Sequence, residues 1–565
     1  MVELHQLKAE GEAPHWLTDE ALKTLKTGYL QDGESPRGMY QRVANAAGSY
    51  YKDSAYWSGR FFDAMWNNWL CLATPVATNM GGKRGLPISC NGIDVPDDTF
   101  EIFNRATELA MLSKQGAGVA LYLGRIRGRG APIRAGGVSE GVIPWAKLYD
   151  TTTASVSQGS TRRGASALYL DVTHRDIEEF LDIRRATGDV NRRCLNINQG
   201  VNITDPWMTE MLKGDQGSRD LWKRILTTRV ETGEPYIFFT DTVNRANPEC
   251  YKAHGLSVKF SNLCTEIMLH TDDNHSFICC LSSLNVARYD EWKDTDLPNV
   301  AARFLDAVLE EYIFRASSVR GLKNSVASAI AGRAIGIGVL GWHTYLQQNG
   351  IPFDSFESMR LNAEIFRNIK TKAHEESRKM AIELGEPEWC RGFGMRNTHL
   401  MAVAPTLSNS TISGGVSAGI EPILANCYTQ EGAQGTFFRT NAALEAILET
   451  RGRNDPATWK SIVENQGSVQ HLDCLFSSEK EVFLTAREIN QFAIIKQAGQ
   501  RQKYIDQGQS VNLFFASNAP PKYVHDVHVE AWRAGLKTLY YCKSKGVLKG
   551  DMASRSKNEC AACEG

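Results

Sequence analysis

The strongest constraint on the fold is the mixture of two hydrophobic periods along the chain. Ala117 to Leu123, His399 to Ala404 and Ser510 to Ala516 are apolar runs of strand length. Amphipathic helices stand between them. One carries Phe304, Leu305, Val308, Leu309, Tyr312 and Ile313. Another carries Leu361, Ile365, Phe366 and Ile369, then Leu384 before a C-cap at Gly385. A third starts where Asp98 and Glu101 are spaced as a capping box, with Phe100, Phe103, Ala106 and Ala110 at helical spacing. Strands and helices that mix throughout predict an α/β fold. The 565 residues suffice for about four domains, or fewer if one is a large barrel.

Charge and targeting narrow the function classes. The 63 basic and 64 acidic residues nearly cancel, so no whole-chain field draws the protein to nucleic acid or membranes. No apolar run approaches the roughly 20 residues of a membrane span. The start, Met1-Val-Glu-Leu-His, lacks the basic and apolar regions of a signal peptide. These features predict a cytoplasmic protein, in which the 13 cysteines are mostly small buried hydrophobes. Those not buried for packing are candidates for redox chemistry, metal binding or nucleophilic attack.

Several clusters can carry chemistry. In Ser261-Asn-Leu-Cys-Thr-Glu-Ile267, an extended backbone would put Asn262, Cys264 and Glu266 on one face. Such a set can bind a hydroxylated substrate, with Glu266 as base and Cys264 as the reactive centre; a loop with one buried Cys also fits. Cys560-Ala-Ala-Cys563 near the end reads as a mobile dithiol that carries electrons, or as incidental cysteines. It has no second CxxC with which to hold zinc. Pro405-Thr-Leu-Ser-Asn-Ser-Thr411 follows an apolar strand and suits either a phosphate or ordinary capping. Gly/Arg stretches at 124–130 and 158–164 suit phosphates, RNA or a solvated surface. Gly336-Ile-Gly-Val-Leu-Gly341 fits a dinucleotide fingerprint, but residues 325–334 before it read as helix or turn, not as the required strand. Tyr540-Tyr541 alone is a half-buried aromatic pair.

Together these segments resemble the large, catalytic subunit of ribonucleotide reductase. Ser261–Ile267 resembles the family's finger loop. Ser89-Cys90 resembles its first redox cysteine, the following Asp97-Asp-Thr99 the start of its effector site, and Ser276-Phe-Ile-Cys-Cys-Leu-Ser-Ser-Leu-Asn285 the segment with its second redox cysteine. Glu34–Ala44, Arg333–Gly338, Ala404–Ser408 and Tyr504–Phe514 are also family-like, in the family's order.

The resemblance implies a ten-stranded α/β barrel of two five-stranded halves around a central finger loop. A helical N-terminal region would span 1–70, the barrel 71–548 and a mobile redox tail 549–565. It implies ribonucleoside diphosphate reduction to 2′-deoxyribonucleotides by thiyl-radical chemistry, for DNA precursor synthesis. Cys264 would take the 3′ hydrogen, Glu266 the 3′ hydroxyl proton, and Asn262 would hydrogen-bond the substrate. Cys90 and Cys279 would reduce the 2′ position and end as a disulfide. Cys279 is preferred to Cys280 by its spacing to Asn285. Cys560 and Cys563 would re-reduce that pair, themselves served by thioredoxin or glutaredoxin. Thr74, Ser89, Pro405, Thr406, Leu407 and Ser408 would hold the diphosphate. Asp98, Arg127, Gln158, Arg162 and Arg163 would form the specificity site for dNTP or ATP, at a homodimer interface, and the Gly336–Gly341 motif would be a structural turn.

Tyr540 and Tyr541 resemble the pair that relays oxidation from a separate small subunit. That implies class I, with the radical raised by a dimetal cofactor in the partner and no cofactor or metal in this chain. The resemblance begins by residue 34, so no N-terminal ATP cone is expected. The short length suggests a compact, viral form, which would work in the host cytoplasm. The alternatives are an adenosylcobalamin-dependent class II reductase, a non-catalytic nucleotide- or RNA-binding protein and a nicotinamide dehydrogenase.

Overall fold

The computed structural model describes residues 2–83, 85–134, 136–156, 164–432 and 435–544. The predicted tail cysteines Cys560 and Cys563, and the effector candidates Gln158, Arg162 and Arg163, lie outside the described residues.

The helices Val2–Ala9, Asp19–Gly28, Pro36–Gly48 and Ser54–Trp66 open the chain. Thr18, Ser35 and Asp53 cap the last three with side-chain oxygens, as their residue types favour. Their apolar faces join the same hydrophobic core as the rest of the fold, from Leu4 to Cys542.

The chain then builds two sets of strands. A short strand, β1 (Leu70–Leu72), precedes the first set. That set is β2 (Cys90–Asp94), β3 (Gly118–Tyr122), β4 (Ala165–Asp171), β5 (Ile197–Ile203) and β6 (Tyr236–Phe239), all parallel in sequence order. Parallel neighbours require crossover segments, and helices such as Thr99–Lys114, Ile143–Val156 and Gln216–Thr232 supply them. The strands are buried along nearly their whole length. Strands covered on both faces carry apolar residues continuously, which is why Ala117–Leu123 shows no alternation.

The second set runs antiparallel to the first. β7 (Phe277–Asn285) pairs antiparallel with β2 and parallel with β8 (Ile335–Leu340). Segment 399–403 lies beside β8, with Ile335 and Ile337 donating to the His399 and Leu400 carbonyls. Only the bridges Ile337–Met401 and Val403–Gln509 mark it and its neighbour as sheet, so the strand expected at His399–Ala404 is extended but irregular. Three short strands complete the set: β11 (Leu513–Phe515), β12 (Thr538–Leu539) and β13 (Cys542–Ser544). β11 pairs parallel with β13, and β12 closes antiparallel on β6. Two antiparallel seams, β2–β7 and β6–β12, therefore join two halves into the expected α/β barrel.

Between β8 and β11 a hairpin, β9 (Cys427–Gly432) with β10 (Gly435–Thr440), leads into three short helices. Leu444, Leu448, Trp459, Ile462 and Phe483 give this insertion its own small core.

Two sequence expectations need correction. The helix at 99–114 forms with Asp98 as its cap, but Phe100 and Phe103 are exposed. Its buried face is Ile102, Ala106, Leu109 and Leu112, one position round from the predicted stripe. The Gly336–Gly341 motif, read as a turn in the barrel, is mostly strand β8. A Cβ on Gly336 would stand 2.2 Å from Leu281, and one on Gly338 2.8 Å from the Ala402 carbonyl. These glycines let two strands pack; only Gly341, at φ +81°, makes the turn.

Residues 256–276 enter the barrel without regular secondary structure, yet 260–271 are buried throughout. Their backbone must therefore be hydrogen-bonded by the strands around them. Gly508 N–H donates to the Glu266 carbonyl at 2.8 Å. A Cβ at Gly508 would meet Met268 Cε at 2.5 Å and the Glu266 and Thr265 carbonyl oxygens at 3.2 and 3.4 Å. Gly508→Ala should thus cost about 1–3 kcal/mol through local overpacking. Urea denaturation measures this; an unchanged midpoint contradicts the tight approach.

Candidate active site

The loop from Asn262 to Ile267 is a tight turn rather than the extended segment expected. Asn262 Oδ1 accepts from the backbone N–H of Glu266 (3.0 Å) and Ile267 (3.1 Å). Thr265 takes a left-handed φ of +69° at the bend. Asn262 thus clamps its own loop through its oxygen, while its buried Nδ2, close enough to favour the Glu266 carboxylate, has no partner at full hydrogen-bond distance. That leaves a donor for a bound hydroxyl.

Barrel side chains fix the rest of the loop. Tyr169 Oη donates to the Asn262 carbonyl at 2.7 Å, and Thr538 Oγ1 to the Thr265 carbonyl at 2.7 Å. Ser510 Oγ donates to the Cys264 carbonyl and lies 3.3 Å from Glu266 Oε2. Gln507 Oε1 accepts from Met268 N–H at 3.1 Å. Tyr169, Gln507 and Ser510 were not singled out individually in the sequence. The family-like stretch 504–514 was the available signal for the last two.

This scaffold brings together the predicted reactive groups. Cys90 Sγ lies 3.6 Å from Glu266 Oε1. Cys90 and Cys279 are direct cross-strand partners in the β2–β7 register. Antiparallel partners have Cα atoms about 4.5–5.5 Å apart, within the span of a disulfide. Cys280 points the other way, because alternate residues of a strand face opposite sides. Its Sγ donates to the Leu305 carbonyl at 3.2 Å, in the helix outside the barrel. The choice that spacing left open is thus resolved in placement: Cys279, not Cys280, shares the interior with Cys90.

Burial dominates the electrostatics. It raises the Glu266 carboxyl from its ordinary 4.5 to about 7, although Asn262, its own backbone N–H, Cys90 and Ser510 favour the ionised form. It also pushes the Cys90 and Cys279 thiols well above their usual range. Glu266 therefore stands between acid and base near neutral pH, beside two thiols that stay protonated.

Tyr540 and Tyr541 close the barrel immediately after β12. Tyr540 is buried and Tyr541 half-buried, with ring centroids 4.3 Å apart. Tyr236, the first residue of β6, joins them at 4.8 and 5.1 Å. Asn198 Nδ2 donates to Tyr541 Oη at 3.1 Å and to Glu234 Oε1 at 2.6 Å. Tyr236, Asn198 and Glu234 had no sequence signal, because only the β5–β6 register brings them to the pair.

The remaining candidates are more dispersed. Thr406 has a left-handed φ of +59° before the short helix Leu407–Ile412, and its hydroxyl accepts from Gly419 N–H at 2.8 Å. Pro405 and Ser408 are half-buried and Leu407 is exposed. Thr74 Oγ1 meets Tyr29 Oη at 2.8 Å, and Ser89 Oγ meets Cys90 Sγ at 3.5 Å. Asp98 serves as a helix cap, accepting from Glu101 N–H at 3.1 Å. Arg127 instead pairs with the neighbouring Asp97, at 2.6 Å. Among the described residues, no group of three or more His, Cys, Asp or Glu side chains is placed to hold a metal. Among the same residues, no helix is long and apolar enough to cross a membrane.

Comparisons with known proteins agree with this geometry. The ribonucleotide reductase barrel domain matches residues 88–218, 215–390 and 388–542, and the all-alpha domain of the same family matches 15–85. A Frog virus 3 protein with the provisional name ribonucleoside-diphosphate reductase large subunit is 40% identical, over 88% of this chain and 90% of its own. The ribonucleoside-diphosphate reductase large subunit of Invertebrate iridescent virus 3 is 34% identical, over 96% and 98%. Among solved structures, the Actinobacillus ureae class Id ribonucleotide reductase alpha subunit matches with a TM-score of 0.88 and 40% identity. It covers 94% of this chain and 97% of its own.

The cross-strand geometry has a direct check. Mild oxidation of the full chain with diamide, followed by alkylation and peptide mass spectrometry, should link Cys90 to Cys279 and leave Cys280 as a thiol. A Cys90–Cys280 link would contradict the register.

Proposed function

Since the chain belongs to the ribonucleotide reductase large-subunit family, we propose that the buried cluster around Cys264 is where it reduces ribonucleoside diphosphates. The carrying observation is the convergence of Cys90 on Glu266 at 3.6 Å, with Cys279 directly across the strand pair. The chain acts as the catalytic subunit of a ribonucleoside-diphosphate reductase of class I type, with a separate small subunit as partner.

The proposed chemistry restores every protein group except the dithiol. A thiyl radical at Cys264 takes the 3′ hydrogen, forming its S–H bond and leaving a carbon radical. Glu266 accepts the 3′ hydroxyl proton, which weakens the departing C2′–OH bond. The 2′ hydroxyl leaves as water with a proton from the thiol pair. Cys90 and Cys279 supply two electrons and the hydrogen that enters at C2′, and become a disulfide. Cys264 then returns its hydrogen to C3′ and Glu266 its proton to O3′, which restores the thiyl radical, so one dithiol is consumed per deoxyribonucleotide. Burial suits this assignment, since a sulfur radical must be kept from water and oxidants. The Asn262 Nδ2 donor would hold the substrate hydroxyl.

The surrounding roles follow the same reading. Tyr541 and Tyr540 would pass oxidation inward from a dimetal centre in the small subunit. Thr74, Ser89 and the 405–408 turn would hold the diphosphate. Asp98, Arg127 and the 158–164 segment would bind an effector nucleotide at a homodimer interface. Cys560 and Cys563 would return electrons from thioredoxin or glutaredoxin.

Three measurements test this. CDP reduction with dithiothreitol and an effector nucleotide should require the small subunit; dCDP formed with adenosylcobalamin alone would contradict class I. Tyr541→Phe should abolish turnover while nucleotide binding is retained; full turnover would refute the relay.

The third follows from Glu266, whose raised value means that it ionises in the folded protein only as pH passes about 7. A base must be ionised, so turnover should rise with pH through that value, and Glu266→Gln should lower it about 10²–10⁴-fold. The stability sign is opposite. The native state holds a proton that the unfolded chain has lost between pH 4.5 and about 7, so Glu266 costs stability as pH rises across that window. Thermal unfolding against pH should show this loss removed in Glu266→Gln; an identical dependence would contradict the buried carboxyl.

A further inference from the structure

The barrel holds the two cross-strand thiols in unlike surroundings. Cys279 is fully buried, whereas Cys90 keeps 6% of its surface open. Cys90 Sγ faces the Glu266 carboxyl at 3.6 Å. Cys279 Sγ faces a donor, Gln507 Nε2, at 3.4 Å.

The orientation of Gln507 is dictated by its other partners. Its Oε1 accepts from Met268 N–H at 3.1 Å, and its Nε2 donates to the Ile335 carbonyl at 3.0 Å. A flipped amide would set its nitrogen against an N–H and its oxygen against a carbonyl, so the donor end must face Cys279. A negative charge on Cys279 sulfur would thus meet an N–H, while one on Cys90 would meet the Glu266 carboxyl, which repels it once ionised, with the Ser89 hydroxyl 3.5 Å away. Glu266 and Asp506 act on Cys279 as well, but neither is its hydrogen-bonding neighbour.

We propose that the disulfide formed in each turnover is reduced with a fixed direction: the incoming thiolate attacks Cys90 and Cys279 leaves, with Gln507 as the positioning residue. This rests on the reading that Cys90 and Cys279 are the redox pair. In the first step a reductant thiolate forms an S–S bond to Cys90, the Cys90–Cys279 bond breaks, and Cys279 departs with the electron pair. In the second step the reductant's other thiolate attacks the reductant sulfur of that mixed disulfide and releases Cys90. Both protein thiolates then take up protons, and the dithiol reductant has lost two electrons. The better-stabilised thiolate is the better leaving group, and the less completely buried cysteine is the easier target. Both criteria select the same direction here.

The test uses the full chain oxidised to the Cys90–Cys279 disulfide and treated briefly with cysteamine, a monothiol that stops at the mixed disulfide. Acid quench, alkylation and peptide mass spectrometry locate the adduct. The expected result is an excess of about tenfold on Cys90, the factor that one hydrogen bond to a charged sulfur supplies. An excess below about twofold, or one on Cys279, overturns the proposal. Gln507→Met removes the donor and should shift the ratio toward an even mixture; an unchanged ratio overturns the role of Gln507. Gln507→Glu, read at a pH where the new carboxyl is ionised, repeats that arm if the methionine disturbs folding. If oxidation links other cysteines instead, the redox-pair reading fails. That result is distinct from wrong direction, and the proposal falls with it.

Discussion

An irregular loop inside a closed barrel can exist only if the barrel supplies its hydrogen bonds. Segment 260–271 has no ladder of its own and is buried throughout. Its carbonyls are met by Tyr169, Gly508, Ser510 and Thr538, drawn from both halves of the barrel. Asn262 meets two of its N–H groups from within, and Gln507 a third. The reactive side chains are thereby set by groups that are themselves on strands or strand ends. This is the arrangement that holds a site to a fixed geometry.

The same burial sets the chemistry. In water Glu266 would be a carboxylate at neutral pH; inside the barrel it is poised to gain or lose a proton. The neighbouring thiols are held protonated, so they can give hydrogen rather than act as open nucleophiles. One environment thus separates the roles of one carboxyl and two sulfurs. The two cysteines differ in their neighbours, Glu266 and Ser89 for one and Gln507 for the other, and in how completely they are buried.

Much of this was legible in the sequence, but unevenly. Strand β3 and the helices Leu297–Ala316 and Phe356–Leu384 follow directly from apolar spacing. The cluster at Asn262, Cys264 and Glu266 was legible as residue types. The turn that presents them was not, because a left-handed Thr265 has no local signature. Cys279 and Cys280 look alike in a strand buried on both faces, and only the pairing with β2 tells them apart. The exposed Phe100 and Phe103 misled the choice of helix face, since an aromatic residue counts as apolar wherever it points. Tyr236 and Gln507 escaped for a different reason: each matters through partners far away in the chain.

In the proposed reaction Cys264 acts first, taking hydrogen from the 3′ carbon of the substrate ribose. Comparing turnover of CDP with CDP deuterated at that carbon, in the complete two-subunit enzyme, tests it most directly. Reduction of the deuterated substrate should be slower under conditions where chemistry limits the rate, and Cys264→Ser should reduce neither. Equal rates for the two substrates, together with turnover in Cys264→Ser, would contradict it.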